Sequence, residues 1–309
     1  MTVFLTVFTQ VVVLFILIFI GFFFAKGKIL TENAVKSMTD IVLYLVTPSV
    51  IIKSFIREYN SDTLNGILLS FLAAFIVHLI VILLTTAVFH DKDDSRKRVL
   101  RFAAVFGNCG FMSLPIQQAI LGDEGVLYCA SFIAIFNLFS WTYGVITMSG
   151  DKKSMSVKKV FINPGVVSLF IGFLIFIFRV PVPDVISLPI GYLAALNTPL
   201  PMILIGYHLS KSKLSKAVTD PKCILCCVCR LVIFPVIAMS LLFLFGFRNA
   251  LFVSTAISAC SPVAAYTTIF AYKYGRDTSL SVNTVSLSTL LSLISMPILI
   301  TLAQHLSTV

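Results

Sequence analysis

Phe106-Gly107-Asn108-Cys109-Gly110-Phe111-Met112-Ser113-Leu114-Pro115 interrupts an otherwise apolar run. Two glycines, an asparagine and a proline so close together make a poor helix interior. Glycine at 107 or 110 can close one half-helix through a left-handed cap. Pro115 suits the first turn of a second half-helix, with Ser113 placed to cap it. The chemistry recurs at Ser258-Ala259-Cys260-Ser261-Pro262-Val263-Ala264-Ala265-Tyr266-Thr267-Thr268, where Ser261 reads as an N-cap and Pro262 as the start of a half-helix. One such span would more often be merely kinked, since Pro and Gly are common in membrane helices. Two at corresponding places read as paired discontinuous helices, the sequence pointer to a transporter's binding site. Their N-terminal ends offer unpaired N–H groups and partial positive charge, which suit an anionic substrate.

The surroundings support membrane depth. Of 309 residues 58% are hydrophobic and 12% charged, with 28 Phe, and the mean hydropathy is +1.02. A soluble domain is roughly 45–50% apolar and about 25% charged. This composition excludes a soluble enzyme, a nucleic-acid module, a disordered tail and a disulfide scaffold. Ten apolar segments approach the ~20 residues of a span: 4–25, 35–56, 64–89, 99–121, 125–148, 160–179, 185–209, 222–246, 249–272 and 279–304. The first carries its charges, Lys26 and Lys28, behind the apolar run, so it reads as a retained span and not a signal peptide. The fold class is an all-α polytopic membrane protein.

The net charge of +10 is a topology signal, with attraction to anionic lipids secondary. Lys and Arg gather in the loops after spans 1, 3, 5, 7 and 9, for example Lys92, Arg96, Lys97, Arg98 and Arg101, then Lys152, Lys153, Lys158 and Lys159, then Lys211, Lys213, Lys216 and Lys222. The opposite loops and flanks hold Lys53, Arg57, Arg179 and Arg248. Those rich loops are expected in the cytoplasm and both termini outside it, in a multi-pass protein of the plasma or inner membrane. Lys53 and Arg230 fall near span ends in this reading, leaving no cation in the middle of the protein.

An internal repeat is legible. Thr47-Pro48 in span 2 matches Thr198-Pro199 in span 7, and Gly122-Asp123 after span 4 matches Gly275-Arg276-Asp277 after span 9, at nearly equal intervals. Aligning Pro115 with Pro262 shortens the interval by several residues, so the register inside the broken helices stays open. Five spans per half is odd, so the second copy must be inverted: residues 1–149 and 160–309, joined by a short cytoplasmic linker at 150–159.

Other polar residues carry less. Asp40 is the one acid placed within a span, equally a functional group or a solvated end. His78 and His208 could carry protons, but packing histidines are the commoner case. Cys223, Cys226, Cys227 and Cys229 mimic metal-ligand spacing in an apolar helix with no His or acid nearby, so no metal or other cofactor is expected. Ser288, Ser292 and Ser295 share one helix face and suit interhelical hydrogen bonds. No G-x-x-x-x-G-K-[ST] or nucleophile–base motif appears, so neither an ATP-driven motor nor an enzyme is expected.

Gly21-Phe-Phe-Phe-Ala-Lys-Gly-Lys-Ile-Leu, Leu45-Val-Thr-Pro-Ser, Asn108-Cys-Gly-Phe-Met-Ser-Leu-Pro115, Asn163-Pro-Gly165, Leu196-Asn-Thr-Pro-Leu200 and Ala271-Tyr-Lys-Tyr-Gly-Arg-Asp277 through Ser288-Thr-Leu-Leu-Ser292 resemble, in order, the auxin efflux carrier family. That family includes the plant PIN exporters and bacterial permeases proposed for malonate and malate. The resemblance implies ten helices in two inverted five-helix repeats, similar to sodium/proton antiporters and bile-acid symporters. It implies helices 4 and 9 crossing at their breaks, helices 1, 2, 6 and 7 as scaffold, and helices 3–5 and 8–10 as an elevator-type transport domain. By motif it places Asn108 and Pro115 beside the substrate. A second proline expected in helix 9 falls on Thr267, leaving Pro262 upstream. The long cytoplasmic loop of the plant exporters is missing, so auxin is a poor guess.

The expected function is secondary transport of small organic anions such as carboxylates, with a proton or sodium as coupling ion. Expected substrate contacts are Asn108, Cys109, Gly110, Ser113, Pro115, Ser261, Pro262, Ala264, Tyr266 and Thr267. Thr47, Pro48, Thr198 and Pro199 face them from the scaffold, and Asp40 and His78 are candidates for ion coupling. The partners are the anion and the lipid bilayer, with no nucleic acid; a homodimer through the scaffold is the assembly considered. A cation/proton antiporter or sodium-coupled symporter of the same fold is the first alternative, weakened by the lack of acids in the middles of spans 4, 5 and 9. A receptor or structural protein is the second, with no use for two broken helices.

Overall fold

Prolines set the local geometry of several long helices. In the computed structural model, which describes residues 3–154, 157–212 and 214–307, π turns at Val42–Val46, Cys109–Ser113 and Cys229–Ile233 run directly into Pro48, Pro115 and Pro235. Proline supplies no N–H, so the preceding turn widens and its carbonyls pair one residue further on. The helices continue through these turns.

The main helices are α1 (Val3–Lys26), α2 (Glu32–Phe55), α3 (Ser61–Val88), α4 (Asp94–Val105), α5 (Cys109–Ser149), α6 (Pro164–Ile177), α7 (Asp184–Lys211), α8 (Pro221–Leu244), α9 (Asn249–Ala259), α10 (Tyr266–Lys273) and α11 (Thr278–Ser307). Among the described residues, seven helices are long and apolar enough to cross a bilayer: α1, α2, α3, α5, α7, α8 and α11. α5 is two legs in one, turning at Gly122, whose φ of 63° favours glycine. Gly275, between α10 and α11, adopts a matching φ of 60°. Lys213 lies outside the described residues, as do Met155 and Ser156 of the linker and the side chains of Lys152 and Lys159.

Polar caps fix where helices begin. Thr31, Asn60, Asp93, Asn163 and Asp220 each accept a backbone N–H from the first turn of α2, α3, α4, α6 and α8. Glycines set two close approaches. A Cβ on Gly206 of α7 would overlap the Ile18 carbonyl of α1, and one on Gly172 of α6 would meet the Phe55 ring of α2. α1 thus packs on the second half of α7, and α6 on the second half of α2. The largest buried cluster joins α3, α4, α5, α8, α9 and α11.

Candidate functional site

The centre of the molecule is a crossing of two extended segments. After α4, Phe106 leaves the helix in extended geometry (φ −98°, ψ 105°). After α9, residues 261–265 are non-helical. The two segments pair antiparallel at Gly107 and Val263. Asn108 N–H donates to Pro262 O at 2.7 Å, and Ala264 N–H donates to Phe106 O at 2.9 Å. Val263 N–H donates to the Ser288 hydroxyl of α11 at 3.1 Å. Backbone freed from helix at this depth needs such partners.

The helix ends around the crossing separate by polarity. The C-terminal ends of α4 and α9 meet the guanidinium of Arg230, which reaches in from the π turn of α8. Its Nη1 donates to Val105 O at 3.2 Å, its Nε to Ser261 O at 3.0 Å and its Nη2 to the Ser261 hydroxyl at 3.4 Å. Arg230 is 3% exposed, and no carboxylate pairs with it among the described residues.

The N-terminal ends of α5 and α10 instead border a cavity of about 430 Å³. Asn108, Cys109 and Gly110 line it from one side, and Ala264, Ala265 and Tyr266 from the other. The Asn108 carboxamide Oδ1 accepts from Phe111 N–H at 3.3 Å and so caps α5. A Cβ at Gly110 would meet nothing within 4 Å, since the cavity begins there. Leu43, Tyr44 and Thr47 of α2, and Ile162 to Gly165 at the start of α6, form the facing wall. Asn163 Nδ2 donates across to Asn137 Oδ1 of α5 at 3.1 Å. Apolar Ile133, Phe136, Trp141, Ile269 and Phe270 complete the lining, which holds no Asp or Glu among the described residues. A smaller cavity of about 100 Å³, lined by His208, Ser286 and Thr289 among others, lies on the other side of Asn108, Phe111 and Tyr266.

A family model described as "Membrane transport protein" matches residues 6–300 of this chain. The chain belongs to this family, the auxin efflux carriers. An uncharacterized transporter of Methanothermobacter thermautotrophicus is 26% identical over 290 residues, covering 92% of this chain and 94% of that protein. Another, from Methanocaldococcus jannaschii, is 24% identical with the same coverage. A Rhizobium meliloti protein named "Putative malonate transporter" is 23% identical over 89% of each chain.

Of the residues expected at the carrier's site, Asn108, Cys109, Gly110, Ala264, Tyr266 and Thr47 line the large cavity. Ser113, Pro115, Ser261, Pro262, Thr267, Pro48, Thr198 and Pro199 do not. Ser113 caps nothing: its hydroxyl donates to Ile257 O of α9 at 3.4 Å, and Asn108 begins the half-helix earlier. Neither Gly107 nor Gly110 forms a left-handed cap, because α4 ends into the extended pairing. Ser261 and Pro262 do not start a half-helix. The Ser261 hydroxyl donates back to Ser258 O at 2.7 Å, closing α9, and α10 begins only at Tyr266. Pro262 fits the extended strand because its missing N–H is not needed there.

Asp40 is exposed on α2 and does not line the cavity. His78 is buried, with Nδ1 2.8 Å from Ala74 O and its ring stacked on Phe139. Ser288 bridges to the crossing, whereas the Ser292 hydroxyl donates within α11 to Thr289 O. The seven cysteines are free and buried.

Four residues escaped the sequence reading. Arg230 looked like a span-end charge and is central. Asn137 and Asn163 form the polar bridge across the cavity. Gln117, fully buried, donates to Ser258 Oγ at 2.9 Å and accepts from Ser254, tying the first leg of α5 to α9. A carboxamide one turn from Ser113 was the available signal for Gln117.

Proposed function

We propose that this carrier moves small organic carboxylates across the bilayer by alternating access. One observation carries the reading: the N-terminal ends of α5 and α10 border one cavity, while the C-terminal ends of α4 and α9 are turned onto Arg230. Helix N-termini attract anions through oriented N–H groups, and Asn108 adds a side-chain amide. The absence of Asp and Glu among the described residues of the cavity wall disfavours a cation/proton antiporter. The name of the Rhizobium relative agrees with a dicarboxylate such as malonate.

In this proposal the spans number ten, because α5 supplies one and a half, and α4, α9 and α10 are half-helices. Residues 1–149 and 160–309 are two inverted repeats. The paired breaks, the matching left-handed Gly122 and Gly275, and the matching α1–α7 and α2–α6 packings support this. Spans 1, 2, 6 and 7 act as the scaffold against which the rest moves, and the cavity lies on that boundary, between Thr47 and Asn163 on one side and Asn108 and Tyr266 on the other. The Lys/Arg-rich loops face the cytoplasm of a plasma or inner membrane.

Uptake of a labelled panel of mono- and dicarboxylates and size-matched organic cations into proteoliposomes tests the reading. Saturable uptake confined to carboxylates is the expected outcome. Uptake confined to the cations overturns it.

A further inference from the structure

Anion binding at the half-helix N-termini leaves one group unexplained. Arg230 sits at the crossing yet does not line the cavity. Its guanidinium donates, among the described residues, to three oxygens: the Val105 carbonyl, the Ser261 carbonyl and the Ser261 hydroxyl. Val105 is the last residue of α4, and Ser261 lies two residues beyond the last residue of α9. Such ends, with unwound carbonyls, are where discontinuous-helix transporters coordinate a coupling Na⁺ or H⁺, because the dipole there is negative. Room for the group is made by a missing side chain, since any Cβ on Gly107 would overlap Nη2. A guanidinium stays charged at this depth where an ammonium readily loses its proton.

We propose that Arg230 is a tethered cation occupying the seat that a coupling sodium would otherwise fill. The carrier then needs no sodium, and a fixed positive charge sits behind the helix ends that hold the anion. The second part rests on the carboxylate reading above. The seat itself rests on the three oxygens alone.

The test compares the purified wild-type carrier with Arg230→Ala in sodium, potassium, guanidinium and choline chlorides at equal ionic strength, by thermal unfolding and by transport. With each salt at low millimolar concentration, where guanidinium does not denature, the wild-type midpoint and transport rate should be the same in all four. Arg230→Ala should unfold at a lower temperature and lose transport, and guanidinium or sodium should raise its midpoint saturably, with choline ineffective. A wild-type rate that falls when choline replaces sodium overturns the proposal. So does a folded Arg230→Ala protein whose midpoint no cation raises. If Arg230→Ala fails to fold, the comparison moves to Arg230→Lys and Arg230→Met. Sodium-independent transport retained by Lys and lost in Met supports the tethered charge, and transport retained by Met overturns it. The unfolding measurement uses no substrate, so a wild-type carrier that ignores carboxylates refutes the transport reading while the salt series still decides the seat.

Discussion

Gly107 and Arg230 occupy one space: a side chain on the glycine would fall on the guanidinium that closes the ends of α4 and α9. Gly107→Ala must displace Arg230 and leave a buried charge and two carbonyls unpaired, a loss of about 3 kcal/mol or more. Gly110→Ala, three residues on, meets open space. It should fold at least as well, because alanine favours helix by up to about 1 kcal/mol, but it narrows the cavity. Thermal unfolding should separate the two variants sharply. The Gly110 variant should lose uptake of bulky carboxylates before small ones.

The loop charges predict orientation. A reporter active only in the cytoplasm should be silent when fused after Val309 and active when inserted beside Lys153. A strong C-terminal signal with a silent Lys153 site would reverse the orientation, and signals at both places would contradict five spans in the second half.

At the ends of α8 and α11 nearest the basic loops, Asp220 pairs with Arg96 at 2.5 Å while capping α8 through Lys222 and Cys223 N–H. Partial burial alone would raise the Asp220 carboxyl, but Arg96 and the capping N–H groups outweigh it and hold it below the usual range. A carboxylate with a lowered folded pKa stabilises above its unfolded value, about 3.9, and the contribution is lost as pH falls through the lowered one. Asp220→Asn keeps a capping side chain and loses the ion pair, which costs roughly 0.5–1 kcal/mol. Asp220→Ala loses the cap as well, about 1 kcal/mol more. Unfolding midpoints near neutral pH should rank wild type, Asn, Ala. The gap between wild type and Asn should close below about pH 4.

The breaks were legible because Gly107, Asn108 and Pro262 are residues a helix interior rejects. The membrane class was legible from apolar length. That the two breaks meet came only as what the family resemblance implies; the antiparallel backbone pairing that joins them was not legible. Ser261-Pro262 has the local signature of a helix start, yet an antiparallel pairing between segments more than 150 residues apart claims it for extended chain. Arg230 was misplaced for a related reason. Span limits count residues along one helix, whereas its depth is set by the carbonyls of two others. Asn163 stood in a family motif and Asn137 in none, and neither was marked as lining the cavity until the fold set them face to face.

The central claim, an anion held at the half-helix N-termini beside Asn108, is tested most directly by equilibrium binding of a labelled dicarboxylate to the purified carrier and to Asn108→Ala. The account predicts saturable binding in the wild type, competed by carboxylates and not by organic cations. A hydrogen bond to a charged group contributes about 1.5–3 kcal/mol, so Asn108→Ala should bind at least tenfold more weakly while folding to near-normal yield. Unchanged affinity in a well-folded Asn108→Ala protein, or equal competition by organic cations, would contradict it.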